Sequence, residues 1–395
     1  MIRVIRGRLE NTYGILLKRT LFALAVIAIL IVSISIVISA NWFTSPSPAK
    51  EFYVGVEYAY GDKATELKAL VDKVKTYTNL FVIGSVGISY NQSALTESCD
   101  YIFNAKMHFI VLFTDITTYN YSTQAWTNNA KVKYGSLFLG IYRYDEPGGN
   151  QLDQAPFSQS KMVSSATDYA NASAQYTTYM GYHVDYYKEH FEVNVFTADY
   201  GLYWFDYKAH YDTLLAEFVG NQSRQLHMGL CRGAAQSQNK DWGVIITWKY
   251  NQAPYLESGE QLYTDLRLAY EAGAKYTVVF SYPQIGEYGT LTQEHFDALK
   301  RFWDSTQSNP TSFGSSKAEV AYVLPKDYGF GFRSAQDTIW GLFSADSLSA
   351  KIWDDTGKLE HLYGSHFNII YNDNFNYTTI HEMYDKVIFW NQTVT

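Results

Sequence analysis

The stretch FYVGVEYAYGDKATELKALVDKVKTYTNLFVIGSVGI, residues 52–88, decides how the chain is read. It opens on an apolar run, Phe52–Tyr60, turns at Gly61-Asp62, and enters a segment where Leu67, Leu70, Val71 and Val74 recur at helical spacing. A second apolar run, Leu80–Ile88, follows. Near-continuous apolar runs are what parallel strands covered on both faces need. A stripe at i, i+3, i+4 and i+7 marks an amphipathic helix able to cover them. The unit is strand–helix–strand.

The unit recurs along the chain. Further strands are expected at His108–Asp115, Leu137–Asp145, Val193–Asp199, Asp212–Phe218, Gly243–Lys249 and Tyr276–Pro283. Ser258 is an N-cap candidate for a helix closing near Gly273, and Thr292 for the next, with His295 in place of the usual Glu or Gln. Ser160–Phe191 is long enough for two helices, whereas the connection YGLYWFDYKAHY between strands five and six is short. Eight such units in about 250 residues predict a (β/α)8 TIM barrel over residues 52–308. An open doubly wound sheet is the alternative. SNPTSFGSS, Ser308–Ser316, breaks the pattern. Beyond it AEVAYVLP, a helix near Ser344–Tyr363, FNIIYND, a short helix near Thr378–Tyr384 and DKVIFWN predict a small βαβαβ domain over residues 317–395.

Leu21–Ala40 holds twenty residues without a charge. As a helix it would span about 30 Å, the thickness of a bilayer core. Arg3, Arg6, Arg8, Lys18 and Arg19 against Glu10 set the N-terminus in the cytoplasm. The expected layout is a cytoplasmic tail (1–19), a transmembrane signal anchor in the plasma membrane (20–40), a Pro/Ser linker (41–51) and an extracytoplasmic globular part. A cleaved signal peptide ending at ISA before Asn41 is the competing reading. Six N-x-S/T sequons, at Asn91, Asn120, Asn171, Asn221, Asn376 and Asn391, agree with an exported glycoprotein.

The net charge of −8 gives no footprint for nucleic acid. Cys99 and Cys231 fall on helices two and six, on opposite sides of the expected ring and too far apart to bond; both read as buried thiols. There is no H-E-x-x-H, P-loop or G-x-S-x-G, and GFGFR, Gly329–Arg333, lacks a third glycine. No metal or cofactor is expected.

In a barrel of this kind the active site lies at the C-terminal ends of the strands. Those ends carry Glu57, Asp115, Asp145 with Glu146, Asp199, Glu217, Trp248 and Tyr250, with Tyr144 and Tyr282 beside them. Acids aimed at one mouth among aromatic rings suit glycoside hydrolysis, where one carboxylic acid protonates the leaving oxygen and a second carboxylate attacks or activates water. Glu146 and Glu217 are the candidate catalytic pair. Glu57, Asp145, Tyr144, Trp248, Tyr250 and Tyr282 are candidates for holding a carbohydrate. Each has a plainer reading. Asp-Glu-Pro-Gly-Gly is turn chemistry, with glycine supplying positive φ. Glu217 could pair with Arg143 or Arg224, Glu57 could be a structural inward acid, and Trp248 could cap the barrel core. Asp115 and Asp199 could be ordinary strand-ending acids.

Asp145-Glu146-Pro147 after strand four resembles the Asn-Glu-Pro motif of the large glycoside hydrolase clan built on this barrel. The resemblance implies that Glu146 is the acid/base and that Asp145 replaces the supporting amide. The clan's nucleophile, a Glu ending strand seven, has no counterpart in WGVIITWKY. Glu257 lies several residues further on, and Glu217 at the end of strand six is better placed. The expected function is a membrane-anchored extracytoplasmic glycoside hydrolase. The alternative is a non-catalytic glycan-binding or cell-envelope protein on the same barrel. The missing strand-seven acid and the sequons after strands two, three and six favour that alternative.

Overall fold

The computed structural model describes residues 51–153, 161–373 and 377–395. The expected anchor at Leu21–Ala40 lies outside them. Among the described residues no helix is long and apolar enough to cross a membrane.

Eight strands, β1 (Tyr53–Tyr58), β2 (Leu80–Ile83), β3 (His108–Leu112), β4 (Phe138–Tyr142), β5 (Asn194–Asp199), β6 (Thr213–Phe218), β7 (Asp241–Ile246) and β8 (Tyr276–Val279), close into a barrel in sequence order. Every pairing is parallel, and β8 returns to β1 through Tyr53↔Tyr276 and Val56↔Val279. Closure decides against the open sheet. Around it run α1 (Ala64–Val74), α2 (Gln92–Asn104), α3 (Thr123–Tyr134), α4 (Tyr169–Phe191), α5 (Tyr203–Lys208), α6 (Arg224–Ser237), α7 (Gly259–Glu271) and α8 (Gln293–Ser308).

The predicted helix stripe on α1 is the buried one: Leu67, Leu70, Val71 and Val74. Ser258 caps α7 by accepting the Gln261 N–H, and the chain leaves that helix through Gly273 at φ 85°. His295 Nδ1 accepts the Thr292 N–H at 2.9 Å, so an imidazole closes the capping box that Glu usually closes. Two expectations are corrected. The strands are shorter than their apolar runs, because residues beyond the barrel's top layer turn outward. Val86–Tyr90, for example, forms a short helix. The region before β5 holds one helix of 23 residues, capped by Asp168, rather than two. α5 is only six residues long, yet Tyr203, Trp204, Phe205 and Tyr207 are all buried, so large rings do the covering that length does elsewhere.

Alternation along the strands fills the barrel's interior. Tyr53, Leu80, Val82, Ile110, Tyr142, Phe196, Ala198, Leu215, Ile245, Tyr276 and Val278 form one packed cluster, separate from the strand–helix core. Four residues beyond Tyr53 on β1 comes Glu57, and two beyond Leu215 on β6 comes Glu217. Period 2 therefore aims both acids inward, above an apolar floor.

The C-terminal region forms a parallel sheet, β9 (Val320–Leu324), β10 (Phe367–Tyr371) and β11 (Lys386–Phe389), in the order β10-β9-β11. The helices α9 (Ser347–Tyr363) and α10 (Tyr377–Met383) connect its strands. The sheet packs on α6. There Arg232, only 1% exposed, donates to Asn368 Oδ1 at 2.8 Å and to the carbonyls of Ser365 and Phe367 at 2.7 and 3.0 Å. Residues 52–395 form one compact unit, so this sheet extends the barrel's helix layer. Cys99 and Cys231 are free and buried on α2 and α6.

Candidate active site

Above the apolar floor the strand ends open into a cavity of about 430 Å³. Glu57, Asp145, Glu146 and Glu217 line it together with Tyr142, Trp248, Phe280, Tyr282 and the backbone of Gly84. Six of the eight candidate site residues thus meet in one hollow. Tyr144 and Tyr250 do not line it. Tyr144 turns toward the helix layer, where Arg143 stacks on its ring at 4.2 Å and His183 meets its edge. Tyr250 stands 47% exposed on the loop after β7, pinned by its N–H to Tyr255 O.

The β4 end is built from an unusual backbone. Tyr144 and Glu146 both adopt left-handed φ, 57° and 51°, on either side of Asp145. The glycines that follow were expected to take up positive φ, and they do not; they lie in a short helix, Pro147–Leu152. Their role is close approach. A Cβ on Gly148 would sit 2.5 Å from Gly201 O, and one on Gly149 2.2 Å from the Tyr200 ring. The left-handed conformations cost energy, and Asp199 opposes that cost. Its carboxylate accepts the N–H groups of Gly149 and Tyr200 at 2.8 Å and Gly201 at 3.1 Å, and that of Gly148 at 2.5 Å. Burial nonetheless lifts Asp199 to about 7, with those four donors pulling it down. It is a positioning residue for the Glu146 turn and faces away from the hollow.

Behind Asp199 lies Asp206 on α5, which the sequence reading passed over inside a helical run. Burial raises Asp206 well above the usual carboxylate range, with the neighbouring Asp199 adding to the rise, and its Oδ1 accepts from Tyr176. Tyr142 was also missed. Its hydroxyl donates to Asp145 and accepts the Ala198 N–H at 3.0 Å, tying the β4 turn to β5. The signal available was its inward register on β4. Asp115 is exposed and caps a 3-10 turn by accepting from Thr117, so it contributes nothing to the cavity.

The Glu146 and Glu217 carboxyls are hydrogen-bonded to each other. Two carboxyls in such contact share a proton, since both ionised forms would repel in a dry site. Burial is the main cause of a rise in both. Glu146 goes to about 8, pushed further by Asp145 and Asp199; Glu217 goes well above its ordinary value, with Glu146 and Asp145 as neighbours. Glu217 is 5% exposed and the more deeply enclosed of the two. Both carboxyls are held toward their protonated form. Burial also takes Glu57 to about 8, with Asp145 adding to the rise, while Asp145 itself is exposed at the cavity mouth.

The arginine partners expected for Glu217 are elsewhere. Arg143 lies between the Tyr144 and Tyr187 rings. Arg224 holds Glu257 at 3.2 Å and Asp265 at 2.8 Å, which also removes Glu257 as a free acid. Trp248 does not cap the core. It lies on the rim, its ring stacked at 22° to Tyr282 and its Nε1 donating to Tyr282 O at 2.6 Å. The sequon asparagines Asn91, Asn120 and Asn221 line other surface hollows, the first two together beside Tyr90. Among the described residues no cluster of His, Cys, Asp or Glu could hold a metal ion.

No family model matches the chain, and no curated protein matches it in sequence. Solved structures do share its fold. An exo-beta-1,4-mannosidase from Opitutaceae bacterium strain TAV5 superimposes with a TM-score of 0.52 at 10% identity, over 86% of this chain and 73% of that one. The catalytic module of a family 98 glycoside hydrolase from Streptococcus pneumoniae TIGR4, solved with the H-disaccharide blood group antigen, gives 0.50 at 10% identity, over 87% of this chain and 66% of that one. The chain therefore has the (β/α)8 fold found in glycoside hydrolases.

Proposed function

We propose that the protein is a glycoside hydrolase in which Glu146 and Glu217 are the two reacting carboxyls. One observation carries this reading. Two acids from different strands are hydrogen-bonded to each other inside a hollow walled by Trp248, Tyr282 and Phe280, with no cation among its lining residues. A structural acid pair would be neutralised by an arginine, as Arg224 does for Glu257 and Asp265. The aromatic rim suits the apolar face of a sugar ring. That a mannosidase and a glycoside hydrolase solved with a blood-group disaccharide share the barrel is compatible with a carbohydrate substrate.

We assign Glu217, the more buried of the two, as donor to the leaving oxygen, and Glu146, which gives up its proton near 8, as the attacking carboxylate. This reverses the roles that the strand-four motif implies. The pair is closer than the gap of about 6.5–9.5 Å that the water of an inverting enzyme needs and nearer the spacing of about 5–5.5 Å in a retaining one, which favours a retaining route through a glycosyl-enzyme once the sugar parts the two carboxyls. The export signals in the sequence place the substrate among glycans outside the cytoplasm, with the chain held at the membrane by residues 20–40.

The test is a panel of aryl glycosides and oligosaccharides with the full chain, then Glu146→Gln and Glu217→Gln. Each substitution is expected to lower kcat/KM by about 10²–10⁴-fold on natural linkages. Glu217→Gln should retain turnover on nitrophenyl leaving groups that need no proton, and Glu146→Gln should not. Unchanged turnover of an active substrate by either variant defeats the assignment. If no glycan is cleaved by the native chain while some are bound, the non-catalytic glycan-binding reading stands instead.

A further inference from the structure

Hydrolysis employs two carboxyls, and the cavity holds four. Glu57 and Asp145 are surplus to the reaction. Neither the lining nor the rim supplies Lys, Arg or His to offset them. Asp145 at least receives the Tyr142 hydroxyl. Glu57 is 7% exposed, and among the described residues its carboxyl has no hydrogen-bond or ion-pair partner, although it lines the hollow. Its position is built rather than incidental. A Cβ on Gly84 would come within 1.8 Å of Glu57 Oε1, so β2 leaves out a side chain where that carboxyl lies. Thr247, just past β7 in the same lining, has a buried hydroxyl that is also without a partner among the described residues. A buried polar group without a partner costs free energy until something satisfies it. These groups aim at a ligand that carries hydrogen-bond donors and positive charge.

Accepting the cavity as a glycan site, we propose that its substrate is an amino sugar bearing a free ammonium group, seated between Glu57 and Asp145. The ammonium supplies the counter-charge that the protein withholds, and its three N–H donors match acceptor-only carboxylates. Trp248 and Tyr282 favour the same ligand twice over, through the sugar's C–H face and through attraction of a cation to an aromatic ring. The acids also act against the wrong substrate. A uronic acid, sialic acid or sulfated sugar would place an anion among four carboxyls. A metal ion as the counter-charge is disfavoured by geometry, because no three of these groups converge on one point.

Binding a cation beside carboxyls that are protonated in the free protein favours their ionised form, so protons must leave as the ligand enters. The probes are three β-1,4-linked pentamers differing only at C2, bearing ammonium, acetamide or hydroxyl. Binding to the full chain is measured calorimetrically at pH 6 in two buffers of different ionisation enthalpy, and hydrolysis is measured in parallel. The expected result is at least about tenfold tighter binding of the glucosamine pentamer, with proton release seen for it alone. Glu57→Gln should remove most of that preference. Equal affinity for the three, or no proton release with the amine, overturns the proposal even if the folded state of the variant is in doubt. Cleavage of the neutral pentamers without amine preference sinks this proposal and leaves the hydrolase standing. Amine-selective binding with proton release but no cleavage sinks the hydrolase and leaves the ligand class standing.

Discussion

Two buried pairs of acids in this molecule are neutralised in opposite ways. Glu257 and Asp265, behind the barrel wall, share Arg224, whose Nη2 and Nε reach one carboxylate each. Glu146 and Glu217, at the strand ends, share only a proton. Burial lifts Glu257 to about 7, with the guanidinium opposing the rise; without a guanidinium Glu146 reaches about 8 and Glu217 is raised well above its ordinary value. An arginine offers its pair a counter-charge that stays in place. A proton can be given away. The first arrangement holds structure, and the second stores the species that acid catalysis consumes.

Removing the arginine is the most severe way to break this contrast. Arg224→Met leaves two buried carboxylates uncompensated and should destabilise the fold by about 3–5 kcal/mol, read as a lowered midpoint in urea. Glu217→Gln should cost far less stability, because the pair it disrupts has no fixed counter-charge to strand. If the two variants unfold alike, the contrast is wrong.

The pH dependence of stability sharpens it. Glu57 and Glu146 ionise near 4.5 in an unfolded chain and near 8 in the fold. Their folded values are raised, so the native state binds more protons than the unfolded state across that interval. Stability from these groups is complete below about 4.5 and is lost as the pH climbs through about 8, with each unit of gap worth about 1.4 kcal/mol at most. Denaturation midpoints should therefore fall as the pH rises from 5 to 8, and Glu57→Gln together with Glu146→Gln should flatten the slope. A midpoint that rises over this range contradicts the burial of free acids in the cavity.

A smaller effect probes the space reserved for Glu57. Gly84→Ala puts a methyl where that carboxyl lies. It should weaken glycan binding by about tenfold, equivalent to about 1.4 kcal/mol, while kcat on saturating substrate changes little. Unaltered affinity would mean that Glu57 does not touch the ligand.

Much of this was legible in the chain. Strand and helix periods repeat because a covered parallel strand and a covering helix impose different spacings on apolar residues, and eight repeats leave few ways to close. The inward acids followed from counting by twos along β1 and β6. The side chains of Tyr144 and Tyr250 did not follow, since both lie past the strand ends, where period 2 no longer dictates direction. Asp199 and Asp206 were misread or missed for a related reason. Asp199 ends a strand as plainly as Glu217 does, but its register faces the helix layer, where it accepts four main-chain N–H groups.

The sequence alone determined the architecture and the types of residue brought to the mouth of the barrel, because local periodicity is written into consecutive residues. Only the tertiary structure decided which acid meets which partner. Arg224 turned to Glu257 and Asp265, Arg143 to two tyrosine rings, and Glu217 was left facing Glu146. Charge pairing depends on distances between strands far apart in the chain. A few ångströms there separate a neutralised structural acid from a protonated one available for reaction.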